Sequence, residues 1–200
     1  AFPIAIGSFQ TNSGKVSPPP TARFATIRLS QGSAVTGTIT VDRVSMSPTS
    51  PAFFVYLPAT QSAIPAGTLE LVQLDDTQAE TYDYCGNFDA AAHKFTAPQA
   101  GLYVFAGKLC VAGNPASVKI DNASCFLYKN GASWLEVMTI NLSGSGSRDE
   151  IHLLWSTPAI ELLGGDEITM IGTVAVDDFD ILGGIDKTWM SGQLNRERYS

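Results

Sequence analysis

The sequence predicts an all-β fold. Short hydrophobic runs alternate with stretches rich in Gly, Thr, Ser and Pro, which is typical of many strands joined by turns. Residues 101–105 show the alternation of a buried strand, and no segment has the periodicity of an amphipathic helix. With 200 residues, 44% of them hydrophobic and 16% charged, the chain has enough apolar material for one domain plus an appendage.

The first residues differ in character from the rest and predict an N-terminal arm. Residues 18–20 are three prolines, a stiff extended spacer that cannot lie inside a sheet. Residues 23–29 and 35–44 carry β-branched residues in alternation and predict two short strands. A segment this small has too little core to be stable alone. We therefore expect residues 1–51 to be an attachment arm or shaft and residues 52–200 to form a head.

The most informative stretch of the head lies between residues 88 and 105. An acidic residue followed by small residues suits a turn, and an aromatic-Thr pair favours a strand. A proline then follows, and because it has no backbone N–H to donate to a β-ladder, the chain must turn again. A glycine opens the next strand, in which aromatic and aliphatic residues alternate. The residues that carry this pattern are Phe88, Asp89, Phe95, Pro98, Gly101, Tyr103 and Phe105.

Three later segments continue the series of strands. Residues 126–131 predict a strand that ends in an Asn-Gly turn, since this pair tolerates the positive φ of a tight hairpin. Residues 160–168 contain a leucine-rich run followed by Gly-Gly-Asp, and residues 189–194 contain Trp, Ser-Gly and Leu in that order. The positions that carry these patterns are Asn130, Gly131, Gly165, Asp166, Ser191 and Gly192.

Taken together, residues 52–197 resemble the C1q-like domain of the C1q/tumour-necrosis-factor jelly-roll superfamily. The resemblance implies a hairpin at residues 160–168, with the Gly-Asp pair at its turn, and a closing strand at residues 189–194. The entry at residues 64–72 is similar to the version found in bacterial and phage proteins. Two positions depart from the family pattern: His93 stands where Gly is usual, and Phe88 where Tyr is common.

The resemblance implies a jelly-roll β-sandwich that assembles as a homotrimer, with aromatic residues in the core or around the threefold axis and with loops at one end as the receptor surface. The aromatic candidates are Tyr103, Phe105, Phe126, Tyr128, Trp155 and Trp189. Alternation alone does not separate core from axis, because a one-residue slip of register exchanges the faces. The candidate loops are residues 113–124, 143–149 and 176–185.

The chain offers little for catalysis or for a cofactor. It contains no nucleophile elbow and no Gly-rich phosphate loop. His93 falls in a predicted turn, and His152 sits in an apolar run where a core or interface position is expected. We predict a protein that is not an enzyme, with no catalytic residue and no cofactor.

One acidic cluster is a weak candidate for a metal site. Asp177, Asp178 and Asp180 could bind calcium, but a hard cation needs six to eight oxygens from several loops. A solvated loop is the alternative interpretation.

The three cysteines leave one unpaired in any intramolecular scheme. Cys110 and Cys125 lie in apolar runs and are predicted to be small buried hydrophobic residues, with a disulfide between them as the alternative. Together with Cys85, and without metal-binding spacing, they favour synthesis in a reducing compartment.

Charge and hydropathy exclude two classes of partner. A net charge of −7 with scattered Lys and Arg does not provide the basic patch that nucleic acid needs. No run approaches about 20 apolar residues, so membrane insertion is not expected. The N-terminus does not resemble a signal peptide.

The hypothesis that follows is a virion surface protein of a bacteriophage or phage-like particle: a head fibre, spike or tail tip made in the host cytoplasm. Residues 1–51 would bind other virion proteins, and the head would bind a host-surface receptor or glycan. One alternative is a secreted eukaryotic C1q-like signalling or lectin protein, favoured by glycosylation sequons at Asn122 and Asn141. Another is a capsid decoration protein that binds no receptor.

Overall fold

The computed structural model describes residues 51–142, 148–175 and 177–197, and these form an all-β structure. The described residues contain fourteen strands, β1 to β14 in chain order, and no helix, so none of them builds a helix that could cross a membrane. Residues 1–50 of the predicted arm lie outside the described residues, as do residues 143–147 and Val176 of the predicted loops.

The strands form two antiparallel sheets. Sheet A consists of β1 (Ala52–Tyr56), β2 (Gln61–Ile64), β4 (Tyr82–Asp83), β7 (Gly101–Gly113), β10 (Glu150–Ser156), β11 (Ile160–Leu162), β13 (Phe179–Ile181) and β14 (Trp189–Glu197). Sheet B consists of β3 (Glu70–Leu71), β5 (Phe88–Asp89), β6 (Lys94–Thr96), β8 (Asn122–Lys129), β9 (Ala132–Asn141) and β12 (Glu167–Thr173).

Strand β7 organises sheet A because it pairs with four other strands. Its first part lies between β11 and β14, so that Tyr103 is opposite both Ile160 and Leu194. Its last part lies between β10 and β13, with Val111 opposite both Ile151 and Ile181. Consecutive side chains of a strand point to opposite faces, so β7 contributes one set of residues to the core and another to the outside of the sheet.

The hydrophobic core lies between the two sheets and is rich in aromatic residues. Phe95 of sheet B packs against three rings of sheet A, with ring centroids 4.8 Å from Phe53, 5.8 Å from Tyr103 and 5.8 Å from Phe105. Phe88 contacts Phe53 at 5.6 Å. Aromatic side chains bury large apolar areas, and these offset and tilted contacts stabilise the sandwich further.

The structure separates the six aromatic candidates into three groups. Tyr103, Phe105 and Trp155 are in the core. Trp189 lies on the face of sheet A that points away from the core, where it contacts Phe54. The other two, Phe126 and Tyr128, alternate with buried core residues of β8 and lie half-buried on the outside of sheet B.

The departure at position 93 has a local explanation. Asp89 Oδ1 accepts hydrogen bonds from the amides of Ala91 and Ala92, at 2.9 and 3.0 Å, and this fixes the turn between β5 and β6. His93 completes the turn with φ of +52°, a conformation that glycine adopts most easily. Its ring pairs with the carbonyl of Leu74 at 2.8 Å, which holds the residue there.

The predicted hairpin at residues 160–168 is wrong. Strand β11 pairs with β7 in sheet A, whereas β12 pairs with β6 and β8 in sheet B. The segment is therefore a crossover between the sheets. The two strands and the turn between them are present as predicted. Such a pattern is a local signal, however, and does not determine which other strands the two strands pair with.

A buried carboxylate holds this crossover. Asp166 accepts hydrogen bonds from the Leu163 amide at 2.7 Å and from Asn130 Nδ2 at 2.9 Å, and its other partner is Lys129 Nζ at 2.7 Å. Gly165, just before it, has φ of +92°. Since Asn130 belongs to the turn after β8, Asp166 joins two turns at one end of sheet B.

Candidate functional site

A row of four aromatic side chains crosses the outer face of sheet A. Trp189 contacts Phe54 at 5.7 Å, Phe54 contacts its cross-strand partner Tyr82 at 6.1 Å, and Tyr82 stacks on Tyr84 at 4.9 Å. Tyr82 is 41% exposed and Tyr84 is 68% exposed. This aromatic row brings three strands, β14, β1 and β4, into one apolar surface.

Further exposed apolar groups lie on the outer face of sheet A beside charged ones. Leu154 of β10 is 64% exposed, and Lys108 stands opposite both Leu154 and Trp189. A shallow cavity of about 170 Å³ opens on this face beside Tyr82 and Val104. Gly192 shapes the sheet beneath this cavity, because a Cβ there would lie 2.5 Å from the Phe53 ring and 2.7 Å from the Phe105 ring. The exposed aromatic row is the contiguous apolar surface of this face, and such a surface marks an interaction site.

The predicted loops meet at one end of the sandwich. Ile120 exchanges backbone hydrogen bonds with Arg148, at 2.9 and 2.8 Å. Asn114 donates its amide to the carbonyl of Asp178 at 2.9 Å, and Asn122 Oδ1 accepts from the Ala175 amide at 2.8 Å. The described parts of all three loops are therefore in contact.

The acidic cluster in these loops is engaged in hydrogen bonds within the chain. Asp178 Oδ1 accepts from the Ala66 amide at 3.0 Å. Asp180 Oδ1 accepts from the Ala63 amide at 2.9 Å and from Asn114 Nδ2 at 2.6 Å. These carboxylates fix the loop ends against β2 and the segment that follows it, and the structure does not group them with Asp177 as a set that could hold a metal ion.

A different polar cluster lies on the outer face of sheet A. Cys110 of β7 stands directly opposite His152 of β10, and Glu150 is two residues before His152 on the same face. Glu150 Oε1 lies 2.8 Å from Cys110 Sγ, 2.6 Å from His152 Nε2 and 2.5 Å from Lys187 Nζ. Three side chains therefore converge on a single carboxylate oxygen.

The electrostatics of the cluster keep the thiol protonated. Burial, together with the hydrogen bond to Glu150, raises the pKa of Cys110 to about 12. Burial alone would raise the pKa of Glu150, but hydrogen bonds from Cys110 and Lys187 outweigh it and lower that pKa.

This geometry does not activate the thiol as a nucleophile. A catalytic Cys–His pair needs a lowered thiol pKa and a base oriented by a third group. Here the pKa of Cys110 is raised, and Glu150 faces the same His152 nitrogen that faces the sulfur, with Nε2 3.7 Å from Sγ.

The cysteine predictions divide between the two thiols. Cys125 is fully buried in the core on β8 of sheet B, as predicted, and burial raises its pKa. Cys110 is buried too, but it faces away from the core and contacts charged groups. All three cysteines of the chain are free thiols, so the alternative of a Cys110–Cys125 bridge is not realised.

Sequence reasoning missed this cluster and placed His152 in the core or in an interface. The alternation of β10 gave a usable signal, because Ile151, Leu153 and Trp155 are the buried set and His152 must then point outward with Glu150. The pairing of β10 with Cys110 had no signal in the sequence.

Comparisons with known proteins define the fold. No protein-family model matches the chain, and no curated protein is similar to it in sequence. Among solved structures, it is similar to Eiger TNF from S. frugiperda, with a TM-score of 0.53 and 11% identity over 76% of this chain and 96% of that one. It is also similar to murine APRIL, with a TM-score of 0.51 and 9% identity over 73% of this chain and 99% of that one.

These neighbours confirm the predicted C1q/TNF jelly-roll β-sandwich. At such low identity the likeness concerns the fold alone.

Proposed function

From the C1q/TNF jelly-roll fold of residues 51–197 we infer a display module: a homotrimeric head whose three copies meet through the outer face of sheet A. The observation that carries this proposal is the aromatic row of Trp189, Phe54, Tyr82 and Tyr84. The exposed Leu154 lies on the same face. Copies of this chain are the occupant that fits, because the family resemblance implies a threefold assembly. Aromatic residues are enriched at subunit interfaces.

The head would present its ligand-binding surface at the end where the three loops meet. Residues 114–122, 148–149, 174–175 and 177–178 are connected there by hydrogen bonds between loops. Loops held by a rigid sandwich are where binding residues concentrate. Three copies of such a surface gain avidity for a repeated ligand, as on a cell envelope or a glycan layer.

The particle that we propose for this head is a virion of the bacteriophage type, with residues 1–51 bound to other virion proteins. The phage-like pattern at residues 64–72 and the short Pro-containing arm support this proposal. The protein would be made in the host cytoplasm and would not be an enzyme. It would recognise a host-surface receptor or glycan.

The test of the assembly is native mass spectrometry of the full chain with one matched pair of variants. We expect a species of about three times 21.2 kDa. Leu154→Glu places a charge on the outer face of sheet A and should yield monomers. Leu69→Glu is the control, since Leu69 is 55% exposed but lies outside that face, and it should remain trimeric. A monomeric wild type, or a trimer that tolerates Leu154→Glu, would contradict the interface.

A second experiment tests the display role. The purified head should bind host cells, and a chain lacking residues 1–51 should still form trimers but should not join particles. Particles that lose stability without the protein, while the head binds no cells, would favour the decoration alternative. Glycan found on Asn122 or Asn141 of the natural protein would favour the secreted alternative.

A further inference from the structure

The polar cluster on the outer face of sheet A has a second feature beyond its hydrogen bonds: its donor atoms are those of a transition-metal site. Cys110 offers sulfur, His152 offers a ring nitrogen and Glu150 offers a carboxylate oxygen, and the three atoms lie within 4.8 Å of one another. Sulfur with imidazole is the combination that Zn²⁺ prefers, whereas Ca²⁺ and Mg²⁺ prefer oxygen alone.

We propose that Cys110, Glu150 and His152 form a zinc site that is complete within one chain.

The spacing of the donors fits a tetrahedral ion. Zn–S and Zn–N bonds of about 2.3 and 2.0 Å place two ligand atoms roughly 3.5 Å apart. Cys110 Sγ and His152 Nε2 are already 3.7 Å apart. Glu150 Oε1 is closer to both, at 2.8 and 2.6 Å, and a rotation of its carboxylate by less than 1 Å at the oxygen would open the shell.

The framework of the cluster is rigid. Cys110 and His152 are opposite each other on paired strands, and the Cys110 amide donates to Thr188 Oγ1 at 3.1 Å, so the sulfur is held by sheet rather than by loop. In the single chain the side chains of His152 and Glu150 are 42% and 30% exposed, which leaves a fourth position for water.

Lys187 is the group that a metal ion would displace. Its ammonium is bound to Glu150 Oε1 at 2.5 Å and supplies the positive charge that the carboxylate needs. A divalent cation bound to the same oxygen would supply this positive charge. Cys110 and His152, which now contact that oxygen, would then bind the cation. The thiol would bind as thiolate, with its proton released to solvent.

The experiment uses the full reduced chain, freed of metal with a chelator and titrated with Co²⁺ as a spectroscopic substitute for zinc. We expect one Co²⁺ per chain, a thiolate-to-cobalt charge-transfer band, and displacement by Zn²⁺ but not by Ca²⁺. Cys110→Ala should abolish the band, while Cys85→Ala, the matched thiol control, should keep it. A wild type without the band, or a band that survives Cys110→Ala, would overturn the site.

Two further variants address the charges and do not depend on replacing a buried residue. His152→Ala should weaken Co²⁺ binding by at least about tenfold, since even the loss of an outer partner costs about 10–100-fold in metal affinity. Lys187→Met should tighten binding, because Glu150 then lacks its competing cation. Unchanged affinity in His152→Ala, or weaker affinity in Lys187→Met, would contradict the assignment. The cobalt band and the Co²⁺ affinities depend on ligands from one chain, whereas the trimer test measures the mass of the assembly. The two proposals can therefore fail independently.

Discussion

The two sheets of this sandwich present outer faces of different chemistry, although the same alternation builds both. On sheet A, Phe54 stacks between Trp189 and Tyr82, and each ring covers part of the next. On sheet B the outward residues mix hydroxyl, charged and aromatic groups: Ser124 pairs with Thr139, and Glu136 stands opposite Phe126.

The difference teaches where each sheet meets its surroundings. A face of hydroxyls and charges with single aromatic rings is well solvated, and isolated surface apolar residues need no explanation. A continuous row of exposed rings leaves much apolar area in contact with water. Covering that area with another surface is therefore favourable. Sheet B can therefore face solvent, whereas the aromatic row of sheet A is the surface on which assembly is expected, beside the charged cluster of Glu150, His152 and Lys187.

The largest effect should come from charging the exposed tyrosines of the aromatic row on sheet A. Tyr82→Asp with Tyr84→Asp should dissociate the trimer, because aromatic residues that dominate an interface each contribute about 2 kcal/mol or more, a factor of roughly 30. Sedimentation velocity over a range of concentrations measures this change.

The control pair is Phe126→Asp with Tyr128→Asp, two aromatic residues with the same spacing on the outer face of sheet B. This variant should remain trimeric. If the trimer dissociated in this variant but persisted in the Tyr82→Asp, Tyr84→Asp variant, the assignment of the two faces would be reversed.

A smaller effect is expected at the buried carboxylate that joins two turns of sheet B. Asp166→Ala should lower the free energy of unfolding by about 1–3 kcal/mol, because the Leu163 amide and Asn130 lose their acceptor. Urea denaturation measures it, and the assembly state at low denaturant should not change. A loss of trimer without a loss of stability would connect this turn to the interface instead.

The same carboxylate predicts how stability depends on pH. Burial acts to raise the pKa of Asp166, but hydrogen bonds from Lys129, Asn130 and the Leu163 amide outweigh it and lower the pKa below its usual 3.8. A lowered folded-state pKa contributes stability that is present above the usual value and is lost as pH falls through the folded value. We expect unfolding to become easier below about pH 4, and Asp166→Asn should flatten this part of the curve.

The smallest effect should be found at the hydroxyl pair on sheet B. Ser124→Ala should cost about 0.2–1 kcal/mol of unfolding free energy, the range for a cross-strand pair on an exposed face. Thermal denaturation of Ser124→Ala, Thr139→Val and the double variant gives the interaction energy between the two hydroxyl groups. A cost well above this range would mean that the outer face of sheet B is covered by something.

The turns could be predicted from sequence because their chemistry is local. Asn130 and Gly131 both have positive φ, at +53° and +76°, and the Asn-Gly pair announces this without knowledge of its neighbours. Position 93 shows the limit of such reasoning: a histidine occupies a left-handed conformation there, and its ring pairs with the carbonyl of Leu74, which is distant in sequence.

The pairing between strands could not be predicted, and the site depends on it. Cys110 and His152 become neighbours through the register of β7 with β10, and a slip of β10 by one residue would send His152 to the core side. The aromatic row has the same origin, since Trp189, Phe54 and Tyr82 come from three separate segments. The acidic residues around position 178 stood together in the sequence and were therefore noticed first, although their oxygens serve the loops.

The central position of β7 also sets the order in which the protein can be built. One edge of the first half of this strand remains unpaired until β14 has left the ribosome, because Gly101 to Lys108 pair with Glu197 to Trp189. At about 5–20 residues per second, synthesis of the intervening segment takes on the order of 4–15 s. During that time a long apolar strand lacks one of its partners, which exposes the nascent chain to aggregation and makes folding a late, non-local event.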